Sequence, residues 1–270
     1  MIMPASHMYG ELVEKIENIV EVNRHTVDAF LKESGLYEHQ RLSAKSTSKY
    51  LEFLADMKSV IDSIQLGERP FDVIFSNHSL IPLSPACSGL WLEFGVFQGA
   101  SINKTARYKK ENCDSNVVYG FDTFNGLPED WRPSFRKGRF ALNGLPPVEE
   151  NVNLLKGLFS DTLPDFIAFQ KEINLSQMPK ISYMHIDCDL YNGARDIFYH
   201  LGEHLASPCI LIFDELVNYP EYKLHEAKAF FEFLSNSSRE AIILGSDNGM
   251  ELNPIQDLPW KSQSVAFLLY

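Results

Sequence analysis

The sequence predicts an α/β protein: a doubly wound, mostly parallel seven-stranded sheet that ends in an antiparallel hairpin, with N-terminal helices before it. Three observations predict it. From Leu90 onward, short apolar runs that read as strands alternate with helical patterns. Four of these runs carry an acid at or near their last position: Glu93, Asp122, Asp187 and Asp214. The last two runs, Ala241–Leu244 and Ser264–Leu269, have only a polar loop between them, the mark of a hairpin.

Tyr9 to Leu36 reads as a helix, with Leu12, Ile16, Ile19 and Val20 at helical spacing. Ser43 to Ser48 is polar and turn-like. A second helix is expected from Ser46 to Ile64, with Tyr50, Leu51, Leu54, Met57, Val60 and Ile61 on one side. Gly67 to Pro85 is punctuated by Gly67, Pro70, Pro82 and Pro85 and reads as an irregular connection. The strands then follow in order. They are Leu90–Phe94, Val117–Asp122, Val152–Lys156, Ile181–Asp187, Cys209–Asp214 and the closing pair. Helices are expected over Leu163–Ile173, Ala194–Leu205 and His225–Leu234, and a long Gly- and Pro-rich loop runs from Thr123 to Glu150.

Composition excludes several classes. With 45% hydrophobic and 12% aromatic residues the 270-residue chain can bury a large core and is not a disordered polymer. A formal net charge of -12 argues against nucleic acid or an anionic membrane as the main partner, since both select clustered Lys and Arg. No run approaches the roughly 18 apolar residues of a membrane span. Met1–Met8 lacks the basic-then-apolar form of a signal peptide. Cys87, Cys113, Cys188 and Cys209 show no Cys-x-x-Cys spacing. Together these point to a cytoplasmic protein with buried, reduced thiols.

The stretch Leu92-Glu93-Phe94-Gly95-Val96-Phe97-Gln98-Gly99-Ala100-Ser101 passes from strand through a glycine turn into a helix. Gly95 and Gly99 let the backbone bend and approach a ligand, and the helix N-terminus offers it free N–H groups. A dinucleotide site would use Gly-x-Gly-x-x-Gly, which is absent. Glu-x-Gly-x-x-x-Gly is the pattern of S-adenosylmethionine-dependent methyltransferases.

In a doubly wound sheet, ligands bind beyond the carboxyl ends of the strands. Four acids converging there repel one another unless ligands or cations neutralise them. Asp122 is the expected acceptor for ribose hydroxyls. Asp187-Cys188-Asp189 and Asp214-Glu215 give clustered carboxylates, which suit a hard cation such as Mg²⁺. The carboxylate left over can serve as general base. His185 lies two residues before Asp187, on the same face and deeper. It reads as a buried, hydrogen-bonded histidine, with a role as base held in reserve.

With these residues in place the sequence resembles the macrocin O-methyltransferase family, class I methyltransferases that use S-adenosylmethionine and Mg²⁺. The resemblance rests on five pieces, in order between Trp91 and Tyr219. The glycine turn comes first, and Phe121-Asp122-Thr123-Phe124-Asn125-Gly126-Leu127-Pro128 second. Then come Gly157-Leu158-Phe159-Ser160-Asp161-Thr162-Leu163-Pro164, His185-Ile186-Asp187-Cys188-Asp189-Leu190-Tyr191 and Ile212-Phe213-Asp214-Glu215.

The resemblance implies a Rossmann-like domain over residues 86–270, behind a helical lid or oligomerisation segment over residues 1–85. It implies that Glu93, Gly95, Gly99 and Ser101 hold the methionine end of the cofactor, and that Val96 and Thr123 also bind the cofactor. Asp122 takes the ribose, Ser160 and Asp161 lie by the adenine, and Asp187 borders the cofactor as well. Asp187, Asp214 and Glu215 are the implied Mg²⁺ ligands and Asp189 the base. The family carries Asp-Asp where this chain has Asp214-Glu215, and the longer Glu would shift the ion or hold it through water. The implied partner is a small hydroxylated acceptor, a sugar or natural product, with the N-terminal helices and the loop from Trp131 to Pro147 covering it. Two other readings compete. A metal-dependent glycosyltransferase would use Asp187-x-Asp189 but leaves the glycine turn without a role. A non-catalytic binding protein of the same fold would have no need of the intact acids.

Overall fold

The structure, a computed structural model, describes residues 40–42, 49–63, 69–75, 85–114, 117–246, 250–252, 259–261 and 263–270. The expected helix over Tyr9–Leu36 and the turn over Ser43–Ser48 lie outside them. Among the described residues, ten strands and six α-helices follow in chain order: β1 (Arg41–Leu42), α1 (Tyr50–Ser63), α2 (Pro70–Ile74), β2 (Leu90–Phe94), α3 (Ala100–Asn112), β3 (Val118–Asp122), β4 (Val152–Lys156), α4 (Phe159–Ile173), β5 (Ile181–Ile186), α5 (Tyr191–Leu201), β6 (Leu205–Phe213), α6 (Glu226–Asn236), β7 (Ala241–Ser246), β8 (Met250–Leu252), β9 (Pro259–Lys261) and β10 (Val265–Leu269).

One sheet has eight strands in the order β1-β7-β10-β6-β5-β2-β3-β4. Strands β4, β3, β2, β5 and β6 run parallel. β10 inserts antiparallel between β6 and β7. All seven expected strands are present, and the closing pair is antiparallel as expected. The eighth strand, β1, adds two residues antiparallel to β7. It is too short to show an alternation in sequence. β8 and β9 form a separate two-stranded ribbon within the closing connection.

Alternation along β2 sends neighbours to opposite faces. Leu92 and Phe94 join the core under α1, α4, α5 and α6, while Trp91 joins the core under α2 and α3. Both faces of the sheet are therefore covered, which is why its strands read as apolar runs. α1 packs on α6, with Tyr50 and Phe53 rings 5.0 and 5.1 Å from Phe231. It buries Phe53, Leu54, Met57 and Ile61. Leu51, expected on that side, is 66% exposed. Phe53, placed nowhere by the spacing argument, takes the buried position.

The expectation of four reduced thiols is corrected. Cys87 and Cys113 form a disulfide across 26 residues, while Cys188 and Cys209 are free. The strand–turn–helix unit doubles back on itself. The entry to β2 and the end of α3 thus meet at one side of the molecule, with Cα atoms 5.3 Å apart. A bridge closing a loop of that length is worth about 3 kcal/mol. Among the described residues no helix is long and apolar enough to cross a membrane.

Candidate functional site

The parallel strand order reverses between β2 and β5, its first two members from either side. That switch point is where such sheets bind ligands. A cavity of about 480 Å³ opens there. From the carboxyl ends of the strands it takes Gly95, Asp122, Thr123, Asp187, Asp189, Asp214 and Glu215. Phe97 and Phe140 wall one side, and Leu158, Phe159 and Ser160 another. Of the candidate residues, Glu93, Val96, Gly99, Ser101, Asp161 and His185 do not line it.

The glycine turn is built as expected, with a different reason for its first glycine. Gly95 has φ +92°, and a Cβ there would lie 1.7 Å from the Asp187 carbonyl oxygen. The close approach it permits is to the backbone leaving β5, not only to a ligand. Gly99 caps α3 in the left-handed region at φ +83°. Asp122 is tied to the turn. Its Oδ2 accepts the N–H groups of Val96 and Phe97 at 2.9 and 2.8 Å, and its Oδ1 accepts that of Phe124 at 2.7 Å. A carboxylate has about four lone-pair positions, so one remains for a ligand hydroxyl. Thr123 Oγ1 donates to Gly126 O at 3.0 Å, and Ser160 Oγ donates to Asp161 Oδ1 at 3.3 Å.

Glu93 and His185 are 0% and 1% exposed. Ser101 Oγ donates to Glu93 Oε1 at 2.7 Å. The other oxygen, Oε2, lies 3.2 Å from His185 Nδ1, outside hydrogen-bond geometry. His185 Nε2 lies 4.0 Å from Asp214 Oδ1, and Asp214 in turn pairs with Arg69. Burial lowers the His185 pKa, but the Glu93 carboxylate outweighs it and, with Asp214, sets the net direction upward. A line of polar groups thus runs under the floor from the first turn of α3 to Asp214.

Above that floor, Asp187, Asp214 and Glu215 each offer an oxygen, all within 4.8 Å of one another. Burial pushes Asp187 and Asp189 well above the usual carboxylate range, with neighbouring carboxylates adding to it. For Asp187 these are Asp214, then Glu215; for Asp189 they are Glu215, then Glu226. Glu215 is pushed up to about 7, first by burial and then by Asp214. Its Oε2 is buried with no hydrogen-bond partner among the described residues. An orphaned, buried carboxylate oxygen beside two further acids is what a hard cation satisfies, so these residues fit Mg²⁺.

Three participants were missed in the sequence. Arg69, just before α2, pairs with Asp214. Arg132, on the long loop, is 7% exposed and sits 3.7 Å above the Trp131 ring. It donates to Gln263 Oε1 at 2.9 Å and comes 3.9 Å from Glu215 Oε1. Trp131, Phe135, Leu127, Leu190 and Tyr219 form a third small core around it, so part of the loop has its own packed interior. Glu226, at the start of α6, is 0% exposed and accepts the N–H groups of Cys188 and Asp189. Burial, with Glu215 adding, pushes it up to about 8 against the pull of those amides. Nothing in the local pattern distinguishes these three from surface charges.

Comparison with known proteins adds a domain assignment. No curated protein matches the chain. Among solved structures the chain is similar to CalS11, described as a calicheamicin methyltransferase, at 18% identity and TM-score 0.46 over 97% of this chain and 94% of that one. It is similar to the O-methyltransferase NovP at 16% identity and TM-score 0.44, over 82% and 99%. It is also similar to an O-methyltransferase from Bacillus cereus, in complex with SAH, at 12% identity and TM-score 0.41, over 97% and 99%. Residues 92–216, which run from the glycine turn through the acidic cluster, match a family model described as a methyltransferase domain, and that match supports a methyltransferase enzyme.

Proposed function

We propose that this protein transfers a methyl group from S-adenosylmethionine to a hydroxyl of a small molecule, a sugar or natural product, at the cavity beyond β2, β3, β5 and β6. The observation that carries the reading is a juxtaposition. The glycine turn at Gly95 and the carboxylates of Asp122, Asp187, Asp189, Asp214 and Glu215 border one cavity. The methyltransferase-domain match over residues 92–216 and the resemblance to the macrocin O-methyltransferase family support it. In this reading residues 1–85 form a segment that covers the acceptor or pairs subunits.

The chain's own groups divide the work. Asp122 would accept a ribose hydroxyl on its remaining lone pair while it holds the turn. Ser160 would border the adenine. S-adenosylmethionine, when bound, would supply an electrophilic methyl carbon to the acceptor oxygen, with its sulfur as the leaving group that keeps the electron pair. Asp187, Asp214 and Glu215 would hold Mg²⁺, which would supply a Lewis acid for the acceptor hydroxyl. Asp189 takes the hydroxyl proton. Burial and the neighbouring Glu215 and Glu226 carboxylates raise its pKa, which favours its holding a proton. His185, under the floor, lies 4.0 Å behind Asp214 and is a positioning group in this scheme. Most of the rate then comes from alignment and charge stabilisation.

The test is incubation with methyl-labelled S-adenosylmethionine and a panel of polyhydroxylated acceptors. Label in an ether product is expected. Binding of UDP-sugar without binding of S-adenosylmethionine, by calorimetry, would overturn the reading.

A further inference from the structure

We propose that Glu226 is the positioning residue for Asp189, an inference that rests on the role given to Asp189 above. Asp189 has φ +66°, a left-handed conformation that disfavours residues with a Cβ. It occupies a turn, Leu190 N–H donating to Cys188 O at 2.7 Å. Two successive amides of that turn, of Cys188 and Asp189, point at one atom, Glu226 Oε1, at 3.1 and 3.0 Å. Successive N–H groups converging in this way form a nest that selects an anionic or carbonyl oxygen. The Cys188 thiol lies 3.3 Å from the same oxygen.

The occupant of the nest comes from a distant element. Glu226 is the first residue of α6, 37 positions beyond Asp189, and is 0% exposed. It does not line the cavity, and Asp189 stands between. α6 is anchored in the core, the Phe230 ring packing at 5.1 Å from Phe213 and 4.9 Å from Phe267. The carboxylate is therefore a fixed post from the core, and the Cys188-Asp189 backbone hangs on it. Without the post, two buried N–H groups lose their acceptor and the left-handed turn loses what holds it. The Asp189 carboxylate, 7% exposed in the cavity wall, would then be free to leave its alignment.

Amide hydrogen exchange on the free protein tests the anchor without reference to any reaction. The Cys188 and Asp189 amides are expected to be protected in the parent and in Glu226→Gln, whose amide oxygen still accepts both. Glu226→Leu should abolish that protection. Should Glu226→Leu not fold, Glu226→Asp, one CH₂ short of the nest, replaces it. In turnover assays the Leu variant should lose on the order of 100-fold in kcat, with KM for S-adenosylmethionine within about threefold, and Gln should recover most of the loss. In an Asp189→Asn background the same substitution should cost nothing further. Unchanged exchange in the Leu variant overturns the proposal. So does an equal loss of kcat with and without Asp189, which would mean that Glu226 acts by another route. Absence of methyl transfer in the parent itself counts against the activity and leaves the exchange result to decide the anchor.

Discussion

Gly95 lies against Asp187 so closely that a Cβ on the glycine would stand 1.7 Å from the aspartate's carbonyl oxygen. The Asp187 N–H donates to Phe94 O at 2.9 Å beside it, so β2 and β5 are locked together where the cavity begins. Gly95→Ala should therefore disturb the fold as well as the ligand site. The backbones must part and the φ of +92° becomes strained. A loss of about 3 kcal/mol in urea unfolding is expected. A variant as stable as the parent that merely fails to bind S-adenosylmethionine would show that the glycine serves the ligand alone.

Asp122 carries two duties at once. Asp122→Ala strands the Val96, Phe97 and Phe124 amides and removes the proposed ribose acceptor. Stability should fall by about 1–3 kcal/mol and affinity for S-adenosylmethionine by roughly tenfold or more. Calorimetry and thermal unfolding on the same sample check both, and unchanged values in both would place the site elsewhere.

Glu226 predicts a pH dependence of opposite sign to the usual carboxylate. Its pKa is raised from 4.5 to about 8 in the folded protein, so the folded state holds a proton that the unfolded chain has released. Between those values the folded state binds more protons, and stability falls as pH rises, by at most ~1.4 kcal/mol per unit from this group. Its contribution is fully present below about pH 4.5 and is lost as pH rises through about 8. In EDTA, urea midpoints of the parent should decline relative to Glu226→Gln from pH 5 to pH 8. Parallel profiles would mean that Glu226 is ionised in the fold across this range.

Much of this architecture was legible because strands buried on both faces leave a local signature, and the acids ending them interrupt it abruptly. The cavity acids Asp122, Asp187, Asp189, Asp214 and Glu215 could be read for the same reason: each sits at a strand end or one to three residues beyond. Glu226 could not, since its partners lie 37 and 38 residues away and an acid in the first turn of a helix is ordinary. Arg69 and Arg132 were hidden similarly, their acids lying 145 and 83 positions on, at Asp214 and Glu215. Spacing misassigned Leu51 because α1 buries its Phe53 side against α6, a direction that only the partner helix decides. Cys87 and Cys113 looked like unrelated thiols until β2 and α3 folded back together.

The acids that follow β5 and β6 should act through a cation, and one measurement tests this most directly. The measurement is the rate of methyl transfer to a responsive acceptor as Mg²⁺ is titrated into EDTA-treated protein, for the parent and for Asp214→Asn. The parent should rise from a low basal rate to a plateau at least about tenfold higher, while Asp214→Asn stays near the basal rate and binds S-adenosylmethionine as the parent does. Full activity in excess EDTA, undiminished in Asp214→Asn, would contradict the metal assignment and leave Asp189 to activate the hydroxyl without it.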